Sequence, residues 1–364
     1  MTGRYGTIGQ VFFVPDDFWP LNTTLYVRDF KGNEPRFVYY FLHLIDWEKF
    51  NDKSGVPGVN RNDVHRELVV VPGLDEQKNI AGVLSALDDK IELNWQINET
   101  LEAMAQTIFR DWFVDFGPVR RKLAGATNPV EIMGGITADG DHASRLASLF
   151  SEQLEDDTLP AGWRQGCASD LIEFNPREPL RSGTVAPYSD MSSLPTRGTV
   201  ADLPTMRAFG SGTRFRNGDA LLARITPCLE NGKGAWVDFL GDASPVGWGS
   251  TEFIVMRGRR STPPPFGYLL SRDPDFRQHA IQSMTGTSGR QRAQVESLAA
   301  WPIAVVPAAI LEAFGALVNP LFARITAAAA ESRTLAETRD YLLPRLMSGE
   351  VRVAEAQEIV EAAE

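Results

Sequence analysis

A chain of 364 residues with 43% hydrophobic and 23% charged side chains has the length and composition for two globular cores. It shows no apolar run near eighteen residues and no charged-then-apolar start, which argues against a membrane span or a secretory signal. The formal net charge of −11 speaks against nucleic acid only as an average: 161–300 holds 16 basic and 13 acidic residues, a balance of +3, so the rest carries −14. All but one of those 16 are arginine, the side chain whose fork matches phosphate and guanine.

In chain order, 1–74 reads as a strand- and loop-rich α/β segment with alternating runs at 11–14 and 24–27. Next, 75–116 forms a helical arm: Asp75 is a candidate N-cap. Ile80, Leu84, Leu87, Ile91, Asn94, Asn98, Leu101, Ala105, Ile108 and Trp112 step by four and three. That is a heptad seam. The stretch 117–160, with Pro, Gly and Asp clusters around one amphipathic piece at 143–154, reads as a linker. A second α/β globule follows at 161–307; its Cys167 and Cys228 lack metal-ligand spacing and read as reduced thiols of a cytosolic protein. A second arm, 308–350, repeats the seam through Phe314, Val318, Leu321, Ile325, Ala328, Ser332, Leu335, Arg339, Leu342 and Leu346, each 234 residues after its counterpart. An acidic tail closes the chain at 351–364.

The expected class is α+β: two α/β globules and two long antiparallel helices. Leu87, Ile91 and Leu101 should face Leu321, Ile325 and Leu335 in a dry seam. An arm of about 39 residues spans roughly 58 Å, enough to hold two globules at least one DNA turn apart, about 34 Å. The globules repeat too. "NTTLYVRDF" from Asn22 parallels "GSTEFIVMRG" from Gly249, "FVYYFL" from Phe37 parallels "FGYLLS" from Phe266, and "GVNRNDV" from Gly58 parallels "GRQRAQV" from Gly289. "VVVP" precedes the first arm and "AVVP" the second. The stretch 163–220 has no counterpart, so the first globule is expected to be cut in half.

These residues resemble a family. "DEQKNIAGVLSALDDKIELNWQINETLEAMAQTIFRDWFVDFGPVRRK" resembles the central conserved region of the specificity subunits of type I restriction-modification systems. "LAETRDYLLPRLMSGEV" resembles their C-terminal conserved region, and "GDALLARITPCLENGKGAW" with "GSTEFIVMRG" the core of a target-recognition domain. The resemblance implies two target-recognition domains, each reading one half of a bipartite site in double-stranded DNA, held apart by the conserved helices. It implies two modification (methyltransferase) subunits docked on the arms, restriction (motor-endonuclease) subunits in the larger assembly, no catalysis by this chain, no cofactor and a cytoplasmic location. It also implies an N-terminal truncation within the first domain, since members begin with a complete one. An alternative is a remnant that binds modification subunits as a scaffold and reads one half-site only.

A reading head needs groups that hydrogen-bond base edges and groups that grip phosphate. Ser288, Gly289, Arg290, Gln291 and Arg292 offer two guanidiniums around an amide, behind a glycine that permits close backbone approach. Asn60, Arg61 and Asn62 form the equivalent loop of the first globule, and Arg4 and Tyr5 fall opposite the region of Arg224. Arg214, Arg216, Arg224 and Lys233 flank the strand-like "ALLARIT"; Arg257, Arg259 and Arg260 end another strand. These are candidate phosphate contacts, with ordinary solvated charge as the competing reading for each. Asn94 and Asn98 should specify register opposite the small Ala328 and Ser332. Phe109, Trp112, Phe113 and Phe116 read as core ahead of a partner-facing plug. Leu321, Ile325, Leu335 and Leu342 complete the candidate seam and partner positions.

Catalytic motifs are not found. "NPRE" from Asn175 lacks the second proline and the aromatic ring that an amino-methyltransferase loop needs to stack a flipped base. Pro15 and Asp16 with Glu76, Gln77 and Lys78 would be a nuclease pattern only by chance. Four scattered histidines and no phosphate-cradling loop support neither a metal site nor an NTPase.

Overall fold

The heptad periodicity folds into two long helices, Leu74–Phe113 and Ala308–Ser348. The computed structural model describes every residue except 4–6, 51–57, 156–158, 242, 244, 288 and 364. The chain divides into unit 1, Met1–Trp95 with Ala330–Glu364, and unit 2, Gln96–Ala329, so both helices contribute to each unit.

In unit 1, strands β1 (Thr2–Gly3) and β2 (Thr24–Leu25) pair antiparallel. Helix Pro35–His43, opened by Pro at its first position and capped by Glu34, lays Phe37 and Tyr40 on the arm. Leu84, Leu87, Leu335, Leu342 and Leu346 join them in one cluster, with Ile91 partly buried against it and helix Val353–Ala363 adding Ala356. The arms run antiparallel here, because Asp88 meets Arg339 (2.7 Å) while Lys90 (3.4 Å) and Asn94 (2.9 Å) meet Glu331. Thus the seam is not dry. Asn94, 1% exposed, donates to the Glu331 carboxylate. The three- and four-residue steps that specify a seam do not reveal that a flanking carboxylate will turn into it.

Gln77 roots the arm in unit 1. Its buried amide donates to Asn33 (2.8 Å) and to the Pro72 carbonyl (2.9 Å), and accepts from the Glu34 amide (3.0 Å).

Unit 2 holds the larger core. Phe109, Trp112 and Phe113 of the first arm meet Phe314 of the second, with the Phe113 and Phe314 rings edge-on at 4.8 Å. All four are buried, which makes the aromatic group core, and Trp112 in particular interior. Ile325 is fully buried, while Leu101 and Leu321 are half-buried. By length and composition Ala308–Ser348 could cross a membrane, a stretch the sequence reading overlooked because isolated polar residues interrupt it. Its Ile310, Leu311, Phe314, Val318 and Phe322 are packed into the unit 2 core.

The stretch 117–160 folds onto that core and is no free connector. Its Pro, Gly and Asp residues punctuate three short helices, Gly117–Leu123, Pro129–Ile132 and Gly140–Ala147. These bury Val119, Met133 and Ala143. A hairpin of β3 (Leu154–Glu155) and β4 (Leu159–Pro160) leads to β5 (Arg164–Cys167). Beyond β6 (Ile172–Phe174) come β7 (Val185–Ser189), β8 (Thr205–Ala208), β9 (Thr213–Phe215), β10 (Ala220–Ala223) and β11 (Gly234–Trp236). Strands β12 (Gly247–Gly249), β13 (Phe253–Gly258) and β14 (Pro302–Val305) complete the set.

One sheet runs β11-β10-β13-β6, antiparallel throughout; a second runs β8-β7-β12-β9, with β7 and β12 parallel; β14 pairs antiparallel with β5. Strands β10 and β13 are apolar on both sides because both faces are covered. Leu221, Phe253 and Val255 enter a cluster with Phe215 of β9; Ala220, Leu222, Ile254 and Met256 face the arm-side core.

Candidate nucleic-acid interface

The loop after helix Pro274–Gln282 is pinned at its base. Thr285 and Arg292 exchange both backbone hydrogen bonds (3.0 and 2.9 Å), and Arg292 also bridges Ile225. The Thr226 amide donates to the Gln291 carbonyl (3.0 Å), the Gln291 amide to the Thr226 hydroxyl (3.2 Å), and the Ala293 amide to the Arg224 carbonyl (2.8 Å). The structure therefore brings Arg224 together with Arg290, Gln291 and Arg292. At the tip, Gly289 is left-handed (φ 77°) with open space where a side chain would stand. Ser288 lies outside the described residues.

Arg290 and Arg292 differ in commitment. The Arg292 guanidinium is held by Glu252, Nη2 at 2.6 Å and Nε at 2.9 and 3.0 Å, which holds it more firmly protonated than an ordinary arginine. Arg290 is exposed, and its guanidinium has no partner among the described residues. The Gln291 side-chain amide is half-buried and equally uncommitted among them. Arg224 is half-buried, and its Nε has no partner among the described residues.

Four proposed phosphate contacts are spent inside the fold. Arg257 donates Nε and Nη2 to Asp219 (2.6 and 2.7 Å) and Nη1 to Glu178 (2.6 Å), while Arg216 holds the other Glu178 oxygen through Nε (2.6 Å). Arg214 donates to the Glu178 carbonyl and stacks on Phe209. Glu178 and Asp219 are buried, and a buried carboxylate needs a guanidinium far more than the surface does. Burial pushes the Asp219 carboxyl up, while Asp219 and Glu178 keep Arg257 charged. Lys233 donates to the Met191 carbonyl (2.7 Å), fastening the loop that follows β7. Arg259 is exposed and donates to the Ile172 carbonyl at 3.2 Å.

Other cations of unit 2 stay free. Arg260, among the candidates, and Arg177, Arg181, Arg197 and Arg207, which were not, are exposed and outside any ion pair among the described residues. Arg207 lies on β8, an edge strand exposed along its length, over the Tyr188 ring at 4.4 Å. Sequence offered no signal for separating these from Arg216 or Arg257, because Glu178 and Asp219 lie 38 and 79 residues from the arginines they hold.

In unit 1 the equivalent loop has another shape. Asn60 accepts from the Asn62 amide (3.1 Å) and caps helix Arg61–Val64, so its side chain is a structural cap. Arg61 and Asn62 are exposed. With Tyr26, Arg28, Lys31 and His65, Arg61 lines a cavity of about 580 Å³. Arg4 and Tyr5 lie outside the described residues. Leu87, Leu335 and Leu342 are buried in the seam, so the arm surface open to partners consists of other side chains, among them Leu93, Trp95, Met104 and Tyr341.

Among the described residues no cluster of His, Cys, Asp or Glu could hold a metal ion.

Comparison with known proteins agrees with the sequence motifs. The family described as "Type I restriction modification DNA specificity domain" matches residues 1–103. The type I restriction enzyme HindI specificity subunit of Haemophilus influenzae is 24% identical across 94% of this chain and 84% of its own length. The MjaIX specificity subunit of Methanocaldococcus jannaschii is also 24% identical, across 92% and 74%. A solved S subunit from M. genitalium is 15% identical, covering 95% of this chain and 82% of its own, at a TM-score of 0.49. With a family domain matched at its start and two such relatives aligned along nearly all of it, the chain is similar to the specificity subunits of type I restriction-modification systems.

Proposed function

We propose that this chain reads DNA sequence for a type I restriction-modification assembly, that unit 2 is a reading head for one half of a bipartite site, and that methyl transfer and cleavage belong to other subunits. The observation that carries the reading is the pairing of Thr285 with Arg292, which presents an arginine and a side-chain amide, Arg290 and Gln291, that have no partner among the described residues. A guanidinium forks onto guanine O6 and N7 and an amide onto adenine N6 and N7. The exposed Arg177, Arg181, Arg197 and Arg207 supply charge for phosphate.

The second half-site falls to unit 1, where exposed Arg61 and Asn62 stand at the repeated sequence position on a short helix. Two modification subunits dock on arm side chains that the seam leaves open, with Leu93, Trp95, Met104 and Tyr341 as anchors. Motor-endonuclease subunits join that complex, and the assembly works in the cytoplasm on duplex DNA.

Titration of the assembled methyltransferase against randomised half-sites tests this. Arg290→Ala should cost about 1–3 kcal/mol on the preferred sequence and relax one half-site. Equal weakening on every sequence would mean that Arg290 grips phosphate. No change at all would remove the loop from the interface.

A further inference from the structure

Within unit 2 the first arm meets the globule at the junction between two helices. Helix Pro265–Arg272 ends at Arg272, and Asp273 opens helix Pro274–Gln282 as its N-cap, accepting from the Asp275 and Phe276 amides (3.0 and 3.2 Å). These two neighbours carry opposite charge, and the arm answers each with its opposite. Arg272 Nε donates to the Tyr268 hydroxyl (2.8 Å), which donates to the Glu102 carboxylate (2.6 Å), and Arg272 stands 3.9 Å from Glu102 itself. Tyr268 is fully buried, which keeps its phenol protonated and a donor. Roughly 12 Å farther along the arm, Arg110 pairs with Asp273 and reaches Asp275 at 3.5 Å.

The same junction fastens the loops of the globule. Arg272 also donates to the carbonyls of Gly232 (2.7 Å), Gly198 (2.5 Å) and Gly234 (3.1 Å). Arg277, within the second helix, donates to the Glu230 carbonyl (2.5 Å). At its far end that helix runs into the 285–292 loop. The side chains that tie globule to arm thus belong to the elements that hold the loops around Arg224 and Arg290. Phe109 of the arm and Phe266 of the globule also pack together (rings 5.1 Å apart), but apolar packing has no direction. The ion pairs have one. Slid along the arm one way, Arg272 would meet Arg110; slid the other way, Asp273 would meet Glu102, like charge against like.

We propose that Glu102 and Arg110 are positioning residues: together they fix where the unit 2 reading head stands along its arm, and so which distance between half-sites the protein accepts. The inference rests on the bipartite reading proposed above and adds to it the side chains that hold the head at its station. Arm length sets the coarse distance and the two clasps the fine one, because the reading loops inherit any tilt of the junction. A guanidinium that must reach a base edge within hydrogen-bond distance tolerates little tilt.

The test measures methyl transfer by the assembled complex on DNA whose half-sites stand at the preferred spacing or one base pair off it. Replacing both Glu102 and Arg110 by leucine should lower the ratio of rates between preferred and altered spacing by about tenfold. The bases preferred in each half-site should stay the same. Glu102→Gln with Arg110→Lys, which keeps an acceptor and a charge, should retain the wild-type ratio. Tyr268→Phe, which removes only the bridging hydroxyl, should lower it less, and serves where the leucine pair does not fold. A second readout needs no DNA. With Cys167 and Cys228 replaced by serine, spin labels on Thr107 of the arm and Ala208 of β8 should give one narrow distance distribution, which the leucine pair broadens. An unchanged ratio, whatever the melting temperature, would leave the two residues a purely structural role and overturn the proposal, as would an unbroadened distribution. A wild-type complex indifferent to spacing would instead refute the bipartite reading, and the label distances alone would then decide the clasp.

Discussion

A guanidinium in this protein is defined by the carboxylate nearest to it. Arg257 and Arg216 look like surface charge in the sequence, yet they neutralise Glu178 and Asp219 beneath the sheet. Arg257→Ala should therefore destabilise unit 2 by about 3–5 kcal/mol in chemical denaturation, because buried Asp219 loses its guanidinium and Glu178 keeps only Arg216. A change below about 0.5 kcal/mol would mean that the network is surface decoration. Arg292 is the opposite case, partly exposed and masked by Glu252. Glu252→Gln should unmask it, raising affinity for all DNA sequences alike and steepening the salt dependence by about one unit. This sorting was not legible in the sequence. The exposed position of Arg290 was easier to single out, because glycine beside Arg-Gln-Arg recurs as Gly-Val-Asn-Arg in the other globule. Asn60 shows what a motif leaves out: an asparagine before a short helix can cap it, and the 3.1 Å bond from the Asn62 amide shows that it does.

At the scale of elements, the long helices were legible because a heptad repeated in phase leaves little else to form. The short helices of 117–160 were not, since four to eight residues make too few turns for a period to show against Pro and Gly. Phe314 is the keystone of the unit 2 arm, with Phe113, Trp112 and Phe266 around it at 4.8–6.2 Å. Phe314→Ala should cost about 3–5 kcal/mol, read by thermal or urea unfolding. The Asn94–Glu331 pair should behave differently. Replacing both by leucine should stabilise the arms or leave them unchanged, since apolar packing replaces a buried polar pair. It should also blur their register, detectable as extra cross-linked species between cysteines placed along the two helices. A single sharp cross-linking pattern in the double variant would show that the polar pair sets no register.

For the molecule as a whole, charge and stability are unevenly shared. The +3 of 161–300 against −14 elsewhere means that net charge says little about where DNA goes. Unit 2 has the larger clusters; unit 1 leaves Trp19, Leu68 and Val70 more than 90% exposed. Amides of the unit 1 globule should therefore exchange faster than those of β10 and β13, measured by mass spectrometry on the intact chain. Incubated with DNA and labelled S-adenosylmethionine, the chain alone should transfer no methyl groups above a blank, and added modification subunits should confer sequence-dependent transfer.

The bond between Asn94 and Glu331 also bears on how such a protein can change over time. Adding residues to one long helix slides these two side chains apart unless the other helix grows by the same number. Only multiples of seven then return leucine to leucine. Arm length is in this sense quantised: it changes in paired steps of about 10 Å, each needing two coordinated insertions 237 residues apart. On the function proposed above, half-site spacing would change in such jumps, whereas half-site sequence would change by point substitutions in an exposed loop.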